Sequence, residues 1–505
     1  MFSVIFSIEN FIKAFSVVFT LETFYWLIIG LIAGGIVGAL PGMGASTGMA
    51  LLIPIAYFLD FAPAIALLLG IYKASIFGAS VSAIAFGVPG SGAAAAVVID
   101  GYPLMKKGKG RKALDLALYT SITSDTSSDL LTMIFAPLFA LVAVAFGPAD
   151  RFLLFVVAFV LIGFLTGKQI FKGLVSVGLG LILGIIGTDP VSFAARLTFG
   201  AWWLSEGLGL MPIIVGVMGF SKILEETASV SVFKEKSNEL IKKISKIGDL
   251  FGKTSSPLSF REFINCWREI LMGIGIGSIV GALPALGSTV GGFLSYAVAK
   301  RFSPHKEEIG SGSFYGLAAA ESGSSAAVGP TLIPLLTLGI PGDAPSALIG
   351  GALILKGIAP SPFLFVNFPW IVLTIFTLMM VANLLNFIIG RYIAIFYSRI
   401  GQIPKPILMP FILMLPIVGV YSVNKNPYDV FIMITLGILG YILFLVDIPR
   451  VPLVIAFILT PMMEENLRKA LLMKNWIQLF FGSPLSIGLT IFTGLFILII
   501  SIYRK

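Results

Sequence analysis

One cysteine, Cys266, and one histidine, His305, stand in the whole of this 505-residue chain. A lone cysteine closes no disulfide within the chain, and the pair cannot build a Cys/His metal site. Both fall in or beside polar stretches, which argues against a Cys–His nucleophilic pair. Charge is scarce as well: 12% of the residues are charged, against about 25% in soluble domains. No Walker loop, Gly-x-Ser-x-Gly elbow or His-Glu-x-x-His motif occurs. ATP-driven work and the common hydrolytic chemistries therefore have no visible machinery. The expectation is a protein that is not an enzyme and holds no organic cofactor.

What fills the chain is apolar. Hydrophobic residues make up 57% and the mean hydropathy is +1.01. A membrane span needs roughly 20 apolar residues, and such runs recur from Phe24 to Ile500. This reads as a polytopic protein embedded in a lipid bilayer. The net charge of +9 fits positive-inside bias better than a nucleic-acid footprint, so no nucleic acid is expected as a partner. The densest basic run, Lys106 to Lys112, reads as a short cytoplasmic loop. Met1 to Thr20 lacks a charged n-region and a small-residue cleavage site, and reads as a retained amphipathic or membrane segment.

The chain says one thing twice. Ile36-Val37-Gly38-Ala39-Leu40-Pro41 returns as Ile279-Val280-Gly281-Ala282-Leu283-Pro284, 243 residues later. Each copy is followed by a second Gly-Pro element, Gly87-Val88-Pro89-Gly90 and Gly339-Ile340-Pro341-Gly342. The expected division is a first membrane half over 1–224, a polar linker over 225–269 and a second half over 270–505. The expected fold is all-α, with about 10–12 transmembrane helices, two re-entrant hairpins and a two-fold internal repeat. An inverted repeat is the expectation. The polar run from Leu114 to Phe146, one tilted helix or two short ones, leaves the parity open.

Broken backbone at membrane depth is tolerated where it is buried in protein or lines a cavity. Paired interruptions in two halves are the best sequence pointer to a transporter's binding site. The N–H groups freed at a broken helix carry about half a positive charge and suit a carboxylate. The candidate substrate-binding residues are Gly42, Met43, Gly44, Ala45, Ser46, Thr47, Pro89, Gly90, Ser91, Gly287, Ser288, Thr289, Pro341, Gly342 and Asp343. Of these, Ser46, Thr47, Ser288, Thr289 and Asp343 offer oxygens for a coupling Na⁺, with H⁺ the alternative. The bland reading is that Gly34 to Gly38 and Gly277 to Gly281 are Gly-x-x-x-Gly packing faces. Intramembrane ionisable residues are functional candidates by default: Lys73, Asp125, Asp129, Glu206, Glu321 and Asp343. Structural pairing is the competing reading for Lys73, Asp125 and Asp129. Glu464 and Glu465 read as an interfacial loop.

At these motifs the chain resembles the large membrane subunit of tripartite tricarboxylate transporters, the TctA family. The matching pieces are Gly38 to Gly44, Pro89-Gly90 with Asp100-Gly101-Tyr102-Pro103 and Lys107-Gly108-Lys109, and Leu332 to Gly342. It departs from the family at Phe86-Gly87, where Asn is usual, and at Ala320-Glu321-Ser322-Gly323-Ser324-Ser325-Ala326, in place of a Pro-Glu-Ala-Ala-Asn-Asn-Ala run. The resemblance implies secondary, cation-driven uptake of organic di- or tricarboxylates. It also implies two partners, a small membrane subunit and an extracytoplasmic solute-binding protein, and a multi-pass location in the cytoplasmic (inner) membrane. A channel-like pore, an intramembrane enzyme and a non-catalytic assembly subunit are the rival readings.

Overall fold

A computed structural model describes residues 5–40, 43–164, 170–189, 193–232, 256–284, 286–400, 405–473 and 475–502. It is a helical membrane protein. Among the described residues the strands are the two-residue pieces Gly187–Thr188 and Ala195–Arg196, paired antiparallel. Among the described residues, five helical stretches are long and apolar enough to cross a membrane: Leu21–Ala39, Phe61–Phe86, Val97–Val144, Pro369–Ile393 and Pro427–Leu445. Shorter apolar helices, such as Ala45–Phe58 and Ala344–Leu355, are what the Gly-Pro breaks leave behind.

Phe61–Phe86 is the hub. Every residue from Ala62 to Ala85 is buried, the signature of a helix surrounded by protein on all sides. Leu21–Ala39 lies against it along Gly30, Gly34 and Gly38. A Cβ on those glycines would stand 2.3–2.4 Å from the carbonyl oxygens of Leu67, Ile71 and Ser75. The second half uses the same device. Gly277 and Gly281 of Trp267–Ala282 press on Gly323 and Ala327, where a Cβ would meet carbonyl oxygen at 2.5 and 2.3 Å. The packing reading of the Gly-x-x-x-Gly faces therefore holds for these glycines. With no Cβ the two backbones touch, and dispersion is gathered over the whole contact.

The breaks are built alike. Phe61–Phe86 and Leu332–Leu338 both end on a left-handed glycine, Gly87 at φ 70° and Gly339 at φ 75°, the usual helix stop. Pro89 and Pro341 follow and forbid renewed helix. Past each proline the glycine N–H turns back: Gly90 donates to Ala79 O on the helix it left, and Gly342 to Thr331 O, at the cap before Leu332–Leu338, each at 3.3 Å. Both glycines also lie against the last glycine of the packing face. A Cβ on Gly90 would be 1.9 Å from Gly38 O, and one on Gly342 would be 3.0 Å from Gly281 O.

Of the two readings left open for the polar run, the single helix holds: Gly110–Val144 is continuous over 35 residues, its serines and threonines bonding back to their own backbone or across to facing helices. Other expectations need correction. The basic run is no loop: Met105–Lys109 is a π-helical turn bent at Gly108, which joins Val97–Leu104 to that long helix. Asp100, in one of the pieces that carry the resemblance, is helical and buried. It accepts the N–H of Gly310, Gly312 and Ser313 and the hydroxyl of Tyr296 at 2.7–3.0 Å. Glu464 and Glu465 lie within helix Val451–Met473, where Glu464 pairs with Arg196 and Arg468. Glu206 is exposed and non-helical. Of the linker, 233–255 lie outside the described residues. Its flanks form helices Ser221–Val232 and Phe260–Asn265.

Candidate substrate site

The broken ends meet. Gly44, just before helix Ala45–Phe58, faces Ser91: a Cβ there would be 2.9 Å from Ser91 Cβ. In the same way Gly287, which opens helix Gly287–Phe302, faces Asp343, with Cβ to Cβ at 2.6 Å. Gly92 joins the halves, with a Cβ position 2.9 Å from Thr289 Oγ1. Together they enclose a cavity of about 470 Å³, lined by Gly44, Ala45, Ser46, Ser91, Gly92, Gly287, Ser288, Thr289 and Asp343, with Ile76 behind them. Small-molecule sites commonly occupy about 300–1,000 Å³.

Two helices open into it with their N-termini. Neither Ala45–Phe58 nor Gly287–Phe302 has a side-chain cap, so first-turn N–H groups face the cavity at the positive end of each dipole. Ala344–Leu355 is capped instead. Asp343 Oδ1 accepts Ser346 N–H at 3.0 Å, and Ser346 Oγ accepts Asp343 N–H at 2.9 Å. Asp343 Oδ2 accepts the hydroxyl of buried Tyr72 at 2.5 Å. The one acid on the cavity wall is thus fixed from both sides.

The other expected site residues divide. Thr47 lines an adjoining cavity of about 520 Å³, which shares Gly44, Ser46, Ser91 and Gly92 with the first. Met43 is turned away, buried beside Leu51 and Ile223. Pro89, Gly90, Pro341 and Gly342 lie behind the lining as the scaffold of the breaks. Gly42 lies outside the described residues.

Sequence reasoning missed the opposite wall. Pro449, Val451, Pro452 and Ile455 complete the first cavity. Lys222 and Arg450 line the second, where Glu225 bonds both and Arg450 also donates to Ser221 Oγ at 2.8 Å. The signal was present as Asp447-Ile448-Pro449-Arg450-Val451-Pro452, a turn with two prolines between apolar runs, but nothing in it says which cavity it faces.

Away from the cavity, Lys73 bonds Asp125 at 3.2 Å and Asp129 at 2.6 Å, and all three are buried. Asn383 donates to Asp129 at 2.7 Å. Cys266 is buried, and its thiol is pushed up to about 12 by desolvation and by Glu269 and Glu262, which leaves it a poor nucleophile.

Residues 24–455 match the tripartite tricarboxylate transporter TctA family. The chain is similar to an uncharacterized 52.8 kDa protein in the TAR-I ttuC' 3' region of Agrobacterium vitis, 34% identical over 468 residues, covering 93% of this chain and 91% of that one. It is also similar to an uncharacterized protein in the TAR-II ttuC' 3' region of the same organism, 40% identical over 199 residues, 39% of this chain and 82% of the relative. No solved structure matches.

Proposed function

This chain belongs to the tripartite tricarboxylate transporter TctA family, and from that premise we propose that it is the membrane subunit of a secondary carrier for cation-coupled uptake of organic di- and tricarboxylates. The family is one of transporter subunits, not of enzymes. The observation that carries the reading is the convergence of four interrupted tips, two from each half, on one cavity. Two uncapped helix N-termini there suit a substrate carboxylate. Tips in mutual contact, as Gly92 is with Thr289, suit a carrier that opens to one side at a time better than a continuous pore. We read the two halves as an internal repeat that rocks about this point.

The coupling ion in this reading is Na⁺, held by backbone carbonyls and by the hydroxyls of Ser46, Ser288 and Thr289. Thr47 contributes from the adjoining cavity, and Asp343 supplies charge without being free to rotate. A small membrane subunit and an extracytoplasmic binding protein are the partners, and the inner membrane is the location.

Counterflow in proteoliposomes tests the function with a panel of labelled di- and tricarboxylates. A carrier shows trans-stimulation by unlabelled substrate, strengthened by inward Na⁺. Flux without trans-stimulation indicates a channel, and altered product an enzyme; either result overturns the reading. Full uptake in Na⁺-free buffer removes the Na⁺ part alone.

A further inference from the structure

Glu321 sits in helix Phe314–Ser325 with no exposed surface. Its Oε2 accepts the Ser80 hydroxyl at 2.5 Å, while its Oε1 has no hydrogen-bond partner. Its remaining polar neighbours include the hydroxyls of Ser121 and Ser325, which bond each other at 2.9 Å. Among the described residues no Lys, Arg or His pairs with it. The nearest base on the hub helix is Lys73, which is held by Asp125 and Asp129. Lys73 lies two turns from Ser80, roughly 10 Å along the helix.

We propose that Glu321 is a proton-binding site that the carrier loads and unloads during transport. The proposal rests on the carrier reading above. Of three buried carboxylates, Asp125, Asp129 and Glu321, the first two hold the Lys73 ammonium and the third has no cation. An ionised carboxylate with no cation partner is too costly in so apolar a setting, and such a group takes up a proton instead. On Glu321 the O–H bond forms at Oε1, the oxygen without a hydrogen-bond partner. The proton comes from water on one side of the membrane and leaves to water on the other.

The charged groups around the site are few. Asp125 faces it from Gly110–Val144; Asp129 lies one turn further along that helix, Lys73 stands on Phe61–Phe86 and Asp100 on Val97–Leu104. Glu269 begins Trp267–Ala282 and Lys300–Arg301 end Gly287–Phe302, both at helix ends. The 3₁₀ turn Gly92–Ala94 brings none. Coupling to substrate is short-range: Ile76 lines the cavity, and Ser80 is the next turn of the same helix. On the other side, Ser124 and Ser322 bond at 2.7 Å and Ser322 donates to Ile270 O at 2.7 Å, continuing the hydroxyl seam.

The test is Glu321→Gln, which imitates a permanently protonated side chain. One proton per turnover multiplies accumulation about tenfold for each pH unit across the membrane. With Na⁺ equal on both sides, wild type accumulates labelled carboxylate in response to an inward pH gradient. Glu321→Gln is expected to keep counterflow exchange and lose that factor. A variant that follows the pH gradient as wild type does overturns the proposal. Infrared difference spectra of the wild-type chain against pH decide it without transport, and serve if the variant fails to fold. A buried carboxylic-acid C=O band that titrates, and that persists in Lys73→Met/Asp125→Asn/Asp129→Asn, supports the site, and its absence overturns it. If wild type shows no counterflow, the carrier reading falls, while the infrared band still decides the proton site.

Discussion

Replacing Lys73 with methionine keeps much of its length and removes its charge from a fully buried cluster. Lys73 Nζ lies 2.6 Å from Asp129 and 3.2 Å from Asp125. At an effective dielectric of about 20, these separations correspond to attractions of roughly 6 and 5 kcal/mol. Desolvation of three ionised groups offsets most of that. Breaking a buried pair from one side is nevertheless expensive, about 3–5 kcal/mol, because the partner is left buried and unpaired. Here two partners are left, with Asn383 alone to serve Asp129. Neutralising all three groups is far milder, since a buried ion pair is often replaceable by neutral groups with little loss. The expected order of thermal stability in detergent is wild type, then Lys73→Met/Asp125→Asn/Asp129→Asn, then Lys73→Met well below both. Size-exclusion recovery after a heating series reads it directly. If Lys73→Met melts with wild type, or the triple variant melts no higher than Lys73→Met, the cluster is not held by charge and the reasoning fails.

Four further outcomes follow from the geometry. Gly34→Val and Gly277→Val each place a Cβ within 2.5 Å of a facing carbonyl oxygen, and overpacking of that kind costs about 1–3 kcal/mol. Folded yield should fall for both, while Gly178→Val, with no atom near its Cβ position, serves as a control that keeps its yield. Ser46→Ala and Ser288→Ala should raise KM for cation or carboxylate roughly fivefold each, for one hydrogen bond of about 1 kcal/mol, at normal protein levels; unchanged kinetics in both would remove the hydroxyls from the site. Glu262, held at about 2 by the Lys112 ammonium and the Ser259 cap, lies below its usual 4.5. Its stabilisation is therefore full above that value and lost as pH falls towards 2, so the melting difference between wild type and Lys112→Ala should shrink over that window; a constant difference refutes it. A cysteine placed at Lys109 in a Cys266→Ser background should resist membrane-impermeant thiol reagents in intact cells, and outside labelling would reverse the orientation.

Much of this was written locally. Helix-breaking chemistry acts through neighbouring backbone, so Gly87-Val88-Pro89 and Gly339-Ile340-Pro341 marked the breaks, and the duplicated Ile-Val-Gly-Ala-Leu-Pro marked their pairing. Apolar length alone required the bilayer and a helical fold. The glycine faces were legible as well, because spacing by four residues places Gly30, Gly34 and Gly38 on one side of a helix whatever lies opposite.

What lies opposite was decided by tertiary structure. Asp343 and Tyr72 are far apart in the chain, and only the packing of Ala344–Leu355 near Phe61–Phe86 makes one the partner of the other. The same holds for Glu321 and Ser80, and for Lys73 with Asp125 and Asp129. Pro449 and Pro452 reached the cavity wall with no local sign of it, since the direction of a loop, and of the helix start that follows it, depends on how the flanking helices are packed. Composition and spacing report along the chain. A buried carboxylate's charge, its hydroxyl partners and its distance from a cavity are relations between helices, and they exist only once those helices are pressed together.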